Sequence, residues 1–367
     1  MILNEEQLML KETVAQFFAE RAPIDHLRKL GEGSPAVSYD QTLWSEMVAL
    51  GITGIAVPEE SEGLNFGWMA VGAIAQEAGR RLVASPFLSS VVFAQNVLIN
   101  CGSRSQIEAY LPSLLSGEKT ASVALDEGRF FSPETTSIGE SNSGLRGVKT
   151  RVLNGQASDM LFCVAKRASG RLGVALISSS HVNVNIQAKR SMDLHGHARV
   201  ILDGVSDADV EWLDGDTLEV GLTKSIDQTT ILLAAEMMGS AREVLERTVD
   251  YLGEREQFDV KLGTFQALQH RCAQMYCELE LAESAVSAAL TGLDHNAAGV
   301  SALASSAKAL ANDCFTLISS EAVQLHGGMG VTEEMDIGLF LKRSRVCNQL
   351  FGSSTYHRDR FARANGF

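Results

Sequence analysis

All six prolines of this 367-residue chain lie at or before Pro133, so the 234 residues that follow (367 − 133) contain none. Proline is the strongest single breaker of helix interiors, so its absence permits long uninterrupted helices. The last third uses that freedom. The runs "SIDQTTILLAAEMMGSAREVLERTVDYLGEREQF", "TFQALQHRCAQMYCELELAESAVSAALTGLD" and "GVSALASSAKALANDCFTLISSEAVQLHGG" each exceed 20 residues and are rich in alanine. Such runs, joined by short turns from Ser225 onward, predict a four-helix bundle.

Upstream the texture differs twice. "NEEQLMLKETVAQFFAERA" carries Leu8, Leu10, Val14, Phe17 and Phe18 at roughly helical spacing, with Asn4 as N-cap. "QTLWSEMVALG", "GWMAVGAIAQEAGRRL" and "SQIEAYLPSLLSG" predict further helices, punctuated by Pro86 and Pro112. From about Ala121 to Glu219 short β-rich runs such as "DMLFCVAK" and "ARVILDGV" alternate with glycine, serine and asparagine. These predict an antiparallel sandwich or barrel. The expected fold is therefore mainly α with a central β domain: helices over 1–116, the β domain over 117–220 and the bundle over 221–367.

A formal net charge of −14 argues against a nucleic-acid surface, although a local basic cleft could still hold phosphate. No apolar run reaches membrane-span length, and the acidic "MILNEEQLML" does not read as a signal peptide, so a cytoplasmic location is expected. The six cysteines are scattered with no C-x-x-C pair, which suggests reduced thiols rather than a zinc site or a disulfide framework. His195 and His197 lack a spaced carboxylate or cysteine to complete a metal site.

Two stretches could carry chemistry. In "QLHGGMGVTEE" three glycines after a helix allow close backbone approach to a phosphate or ribose. A plain glycine C-cap explains the same residues. In "YLGEREQFDVKLGTFQALQHR", Arg255 could pair with a pyrophosphate while Phe258 stacks on a flat ring. A helix hairpin with a surface arginine and a core phenylalanine is the bland reading.

Taken together, the helical–β–helical order, "VPEESEGLNFG" (Val57 to Gly67), "YLGEREQF…TFQALQHR" and "EAVQLHGGMGVTEE" resemble the acyl-CoA dehydrogenase family over nearly the whole chain. The resemblance implies FAD-dependent α,β-dehydrogenation of acyl-CoA thioesters, with electrons passed to an electron-transfer flavoprotein. It also implies an oligomer in which the bundle of one subunit binds the ADP end of its neighbour's FAD. On that carry-over Arg255 and Phe258 would contact the pyrophosphate and adenine side, and Gln266, Gln324, Gly327 and Gly328 would complete the half-site.

The same pattern exposes departures. Most of the family carries its catalytic glutamate just before a Gly-Ser/Thr turn; that position is Phe351, ahead of Gly352. A subset carries it on the first bundle helix, where this chain has Thr229 and Thr230. A positioned carboxylate normally removes the α-proton and contributes roughly 10²–10⁴-fold, which neither phenylalanine nor threonine can replace. Asp126 stands where the family's Thr-Glu-Pro motif has threonine, and the Gly-Ser-Asp that ends that motif is missing. The family's Trp-Ile-Thr/Ser-Asn-Gly becomes Arg151-Val152-Leu153-Asn154-Gly155.

The expectation is a non-catalytic subunit working with a homologous catalytic partner. "LFGSSTYHRDR" resembles accessory subunits of bacterial dehydrogenases for steroid side-chain CoA thioesters. Three alternatives remain open. One is an independent homo-oligomer using Asp227, two residues before Thr229, with Glu236 two helical turns beyond Thr229; another is a flavin-dependent oxygenase or oxidase using His357; the last is a ligand-free scaffold.

Overall fold

The computed structural model describes residues 3–215 and 218–367. It forms two compact units, one comprising residues up to Asp25, Trp68–Val83 and Thr230–Phe367, the other His26–Gly67 and Ala84–Thr229.

The first unit is helical. It contains α1 (Glu5–Arg21), α4 (Trp68–Arg81), most of α7 (Leu218–Glu254), α8 (Gln266–Asp294), α9 (Val300–His326), α10 (Ile337–Cys347) and α11 (Ser354–Ala364). Asn4 caps α1 as expected: its side chain accepts from the Gln7 N–H, and the Gln7 side chain answers in a capping box. Helix α4 starts on a borrowed cap, because the Trp68 and Met69 N–H groups donate to Asp294 at the end of α8. That carboxylate sits on the positive end of the α4 dipole.

Two glycines let α4 and α7 cross at backbone contact. A Cβ on Gly79 would fall 2.0 Å from Glu236 O, and one on Gly239 would fall 1.9 Å from Gln76 O. The gap is sealed by the Ser240 hydroxyl, which donates to Gly79 O at 2.8 Å.

The second unit holds α2 (Ile24–Glu32) for most of its length, α3 (Gln41–Ala49), α5 (Gln95–Cys101), α6 (Arg104–Leu115) and two sheets. Strands β1 (Ala121–Ala124), β3 (Met160–Lys166), β4 (Leu172–Ser178) and β7 (Glu211–Trp212) form one sheet in the order β1-β3-β4-β7. Strands β2 (Leu145–Leu153), β5 (Val184–Arg190) and β6 (Gly196–Val205) form the other in the order β2-β6-β5. Leu161, Cys163, Ala175 and Ile177 from the first sheet share one buried core with Leu145, Val152, Ala198 and Val200 from the second. This is the expected sandwich, mostly antiparallel, with β1 pairing in parallel with β3.

Two local expectations are corrected. Helix α7 begins by Leu218 rather than at Ser225 and runs through Gly221, where a Cβ would fall 2.1 Å from Asn100 O; close packing rather than local propensity goes with the early start. Pro112 lies inside α6, four residues before its first residue past the end, instead of separating helices. The ring removes the bond that an N–H at this position would make to Glu108 O, and the helix continues only to Leu115. Among the described residues no helix is long and apolar enough to cross a membrane.

Candidate active site

At the tip of the α7–α8 hairpin the chain narrows to β8 (Glu256–Gln257) and β9 (Val260–Lys261). Arg255 lies where α7 ends: its N–H still donates to Tyr251 O, and its carbonyl accepts from Leu262 N–H. The guanidinium is exposed, and among the described residues it forms no ion pair. Phe258 is 84% exposed with φ of 57°, a left-handed conformation that is costly for a bulky residue. Its ring meets Phe265 edge-on at 6.2 Å, next to exposed Gln266 at the start of α8.

The second predicted stretch is brought to this end by a ring pair. His326, the last residue of α9, stacks on Tyr251 with centroids 4.2 Å apart and planes 22° from parallel. Its Nδ1 donates to Ala322 O, and burial pushes its pKa down. Gly327 follows as the helix C-cap with φ of 60°, and Gln324, Gly327 and Gly328 are all exposed. No atom lies within 4 Å of where a Cβ on Gly327 or Gly328 would stand. The cap reading and the ligand reading are therefore compatible: the same glycines end the helix and leave their backbone open.

The β-domain positions behave differently. A register shift between Lys149 and Val152 bulges β2, and Arg151 takes φ of 52°. The bulge lets Arg151 Nε and Nη2 reach Asp126 Oδ2 at 3.1 and 3.0 Å, while Nη1 donates to Arg129 O. Asp126 Oδ1 is buried with no hydrogen-bond partner. Burial raises the Asp126 pKa, with Arg151 opposing it.

Beneath this pair, fully buried Lys149 donates to Glu127 Oε1 at 2.7 Å, Leu125 O and the Thr136 hydroxyl. Burial works against the Glu127 charge, yet hydrogen bonds from Lys149, Ser137 and Thr136 hold its pKa at about 2. These bonds tie the segment after β1 to Thr136–Ile138.

Among the described residues, none of the positions expected to carry the base presents an available carboxylate. Phe351 is 6% exposed at the turn between α10 and α11, with φ of 54°. Thr229 and Thr230 are buried, and Thr229 Oγ1 donates to Ser225 O. Glu236 is bound to the Arg343 guanidinium, with Nε at 3.1 Å. Asp227 is 2% exposed and lies in the third turn of α7, inside the helix because that helix begins by Leu218. His357, in the first turn of α11, donates from Nε2 to Phe351 O at 2.8 Å and is 1% exposed. Burial, reinforced by nearby Lys308, brings its pKa to about 3, which is too low for a general base near neutrality.

Models of the acyl-CoA dehydrogenase N-terminal and C-terminal domains match residues 4–118 and 221–365. This chain belongs to the acyl-CoA dehydrogenase family. Acyl-CoA dehydrogenase IpdE2 of Mycolicibacterium smegmatis is 28% identical over 351 residues, covering 95% of this chain and 96% of that protein. Two solved structures superpose with a TM-score of 0.88 at 25% identity: the ChsE4–ChsE5 complex from Mycobacterium tuberculosis, and a variant of the Tcur3481–Tcur3483 steroid acyl-CoA dehydrogenase. The first covers 99% of this chain and 97% of its own, the second 98% of each.

As a family member the chain is an oxidoreductase of FAD-dependent type. Its residues fit the cofactor unevenly. An exposed unpaired arginine, an exposed phenylalanine and open glycine backbone suit a nucleotide tail. At Asp126 and Arg151, where the family resemblance would put contacts to the flavin ring, a part-buried ion pair with an orphaned anionic oxygen does not suit a flavin.

Lys308 and the Lys149–Glu127 cluster were not singled out from sequence. Lys308 could have been: it shares a helical stripe with Ala304, Ala311 and Phe315, all buried.

Proposed function

We propose that this acyl-CoA dehydrogenase chain is the non-catalytic subunit of a hetero-oligomer that desaturates an acyl-CoA thioester of the steroid side-chain class. The observation that carries this reading is the Asp126–Arg151 ion pair, which fills ring-side positions from within the chain. The absence of a usable carboxylate at Phe351 and at Thr229 agrees with it.

In this reading a homologous catalytic partner supplies the base and holds the flavin ring. Bound FAD supplies the hydride acceptor, and an electron-transfer flavoprotein takes the electrons onward. This chain grips the nucleotide tail: Arg255 neutralises the pyrophosphate, Phe258 covers the adenine, and Gln266 and Gln324 offer amide hydrogen bonds. The backbone N–H groups at Gly327 and Gly328 permit close phosphate approach. The similarity to ChsE4–ChsE5, a complex of two proteins, and to the Tcur3481–Tcur3483 steroid acyl-CoA dehydrogenase supports this choice of partner and substrate class.

The test is co-expression with a homologue that retains the glutamate. Acyl-CoA-dependent dye reduction should appear only in the co-purified complex, and Asp227→Asn should leave its rate unchanged. Activity in the chain alone, abolished by Asp227→Asn, would instead establish an independent homo-oligomer.

A further inference from the structure

Under the Phe351–Gly352 turn lies a lysine shut away from water. Lys308 is 0% exposed in the middle of α9, and its Nζ donates to Asn312 Oδ1 at 2.7 Å, Cys347 O at 2.9 Å and Gly352 O at 3.2 Å. Three acceptors meet three N–H bonds, so only the ammonium satisfies all of them. A neutral amine has two N–H bonds and leaves one acceptor bare, a costly outcome inside a protein. Cys347 is the last residue of α10, so its carbonyl stands at the negative end of that helix dipole and favours a cation. Among the described residues no carboxylate forms an ion pair with Lys308.

The turn that these bonds hold is one the chain would not adopt unaided. Phe351 has φ of 54°, which costs a non-glycine residue on the order of 1–2 kcal/mol. Gly352 has φ of 108°, and a Cβ there would fall 2.5 Å from Tyr356 Cδ1 and 2.9 Å from His357 Nε2. Consecutive carbonyls are pinned from two helices. His357 of α11 holds Phe351 O, and Lys308 of α9 holds Gly352 O, with Asn312 Nδ2 reaching the latter at 3.4 Å.

We propose that the Lys308 ammonium is the positioning group of the Phe351–Gly352 turn, so that the proton count at Nζ decides whether the Gly352 carbonyl, and with it Phe351, is held in place. Burial opposes the charge and lowers the Lys308 pKa to about 7. The clamp is then complete below that pH and loses a donor as pH rises through it.

The surrounding charged groups come from each packed element. The end of α10 contributes the Cys347 thiol. From α11 come His357, neutral above about pH 3, Arg360 against Ser301 O and the Ser305 hydroxyl, and Arg358 bound to Asp313 of α9. From α8, Glu278 and Glu283 act on Cys314, and Glu283 is bound to Arg242. The Cys347 thiol is the member of this set that acts on the Lys308 charge, favouring it, so Cys347→Ser is the control.

Hydrogen–deuterium exchange on the full chain, corrected for the intrinsic pH dependence of exchange, provides the test. Protection of amides 352–357 should fall on the order of tenfold between about pH 6 and about pH 9, while the interiors of α8 and α9 stay protected. Cys347→Ser should keep that profile, and Lys308→Met should expose the same amides at every pH. A flat wild-type profile, or wild-type protection in Lys308→Met, overturns the proposal. A flat profile combined with an open Lys308→Met turn would mean a structural lysine without proton control. If Lys308→Met does not fold, the wild-type and Cys347→Ser profiles decide alone.

Discussion

Acidification should unfold this protein partly through a single imidazole. His357 is neutral in the fold, with its pKa at about 3 against an ordinary 6.5, because burial and the Lys308 charge oppose its protonation. Between those values the unfolded chain binds more protons than the folded one, so stability is full above pH 6.5 and is lost as pH falls towards 3. The linkage relation gives RT ln[(1 + 10^(6.5−pH))/(1 + 10^(3−pH))], about 2 kcal/mol at pH 5 and about 3 kcal/mol at pH 4. The matched perturbation is His357→Gln, whose amide can still donate to Phe351 O but does not titrate.

Urea unfolding of both proteins at about pH 7.5 and about pH 5 isolates the effect. Lys308 titrates in the same interval, but it does so in both proteins and cancels in the difference. The wild type should lose about 2 kcal/mol more than the variant on moving to the lower pH. Equal losses would refute the assignment of a buried neutral His357.

Two further outcomes follow from packing and charge. Gly239→Ala places a methyl group against the Gln76 carbonyl, so it should cost about 1–3 kcal/mol or more and lower Tm by several degrees; an unchanged Tm would contradict the close α4–α7 crossing. Arg255→Ala in the co-purified complex should weaken FAD retention about tenfold or more while leaving the melting of the isolated chain unchanged, since the guanidinium forms no ion pair within it.

The large elements were legible because they depend on local pattern. A proline-free, alanine-rich stretch with helical spacing could hardly form anything but long helices, and the alternating β-branched runs gave the sandwich. What escaped depended on partners distant in sequence. Nothing near Leu218 told how early α7 begins, and Pro112 looked like a breaker because its place in α6 is set by where that helix starts. The parallel β1–β3 pair is likewise invisible in either strand alone.

At the candidate site, the replacement of family residues by Asp126 and Arg151 was readable position by position. Their mutual ion pair required the β2 bulge, which no propensity announces. The stripe that Lys308 shares with Ala311 and Phe315 marks it as inward-facing, but its acceptors at Cys347 and Gly352 are distant in sequence and cannot be read from it.

The central claim is that this chain holds the tail of a flavin coenzyme whose ring belongs to another subunit. The flavin absorbance per mole of chain, measured on the protein purified alone and again after co-expression with a glutamate-bearing homologue, tests it most directly. The account expects the lone chain to be essentially colourless and the complex to be yellow, with Asp126 and Arg151 intact in both. A lone preparation carrying about one FAD per chain would contradict it.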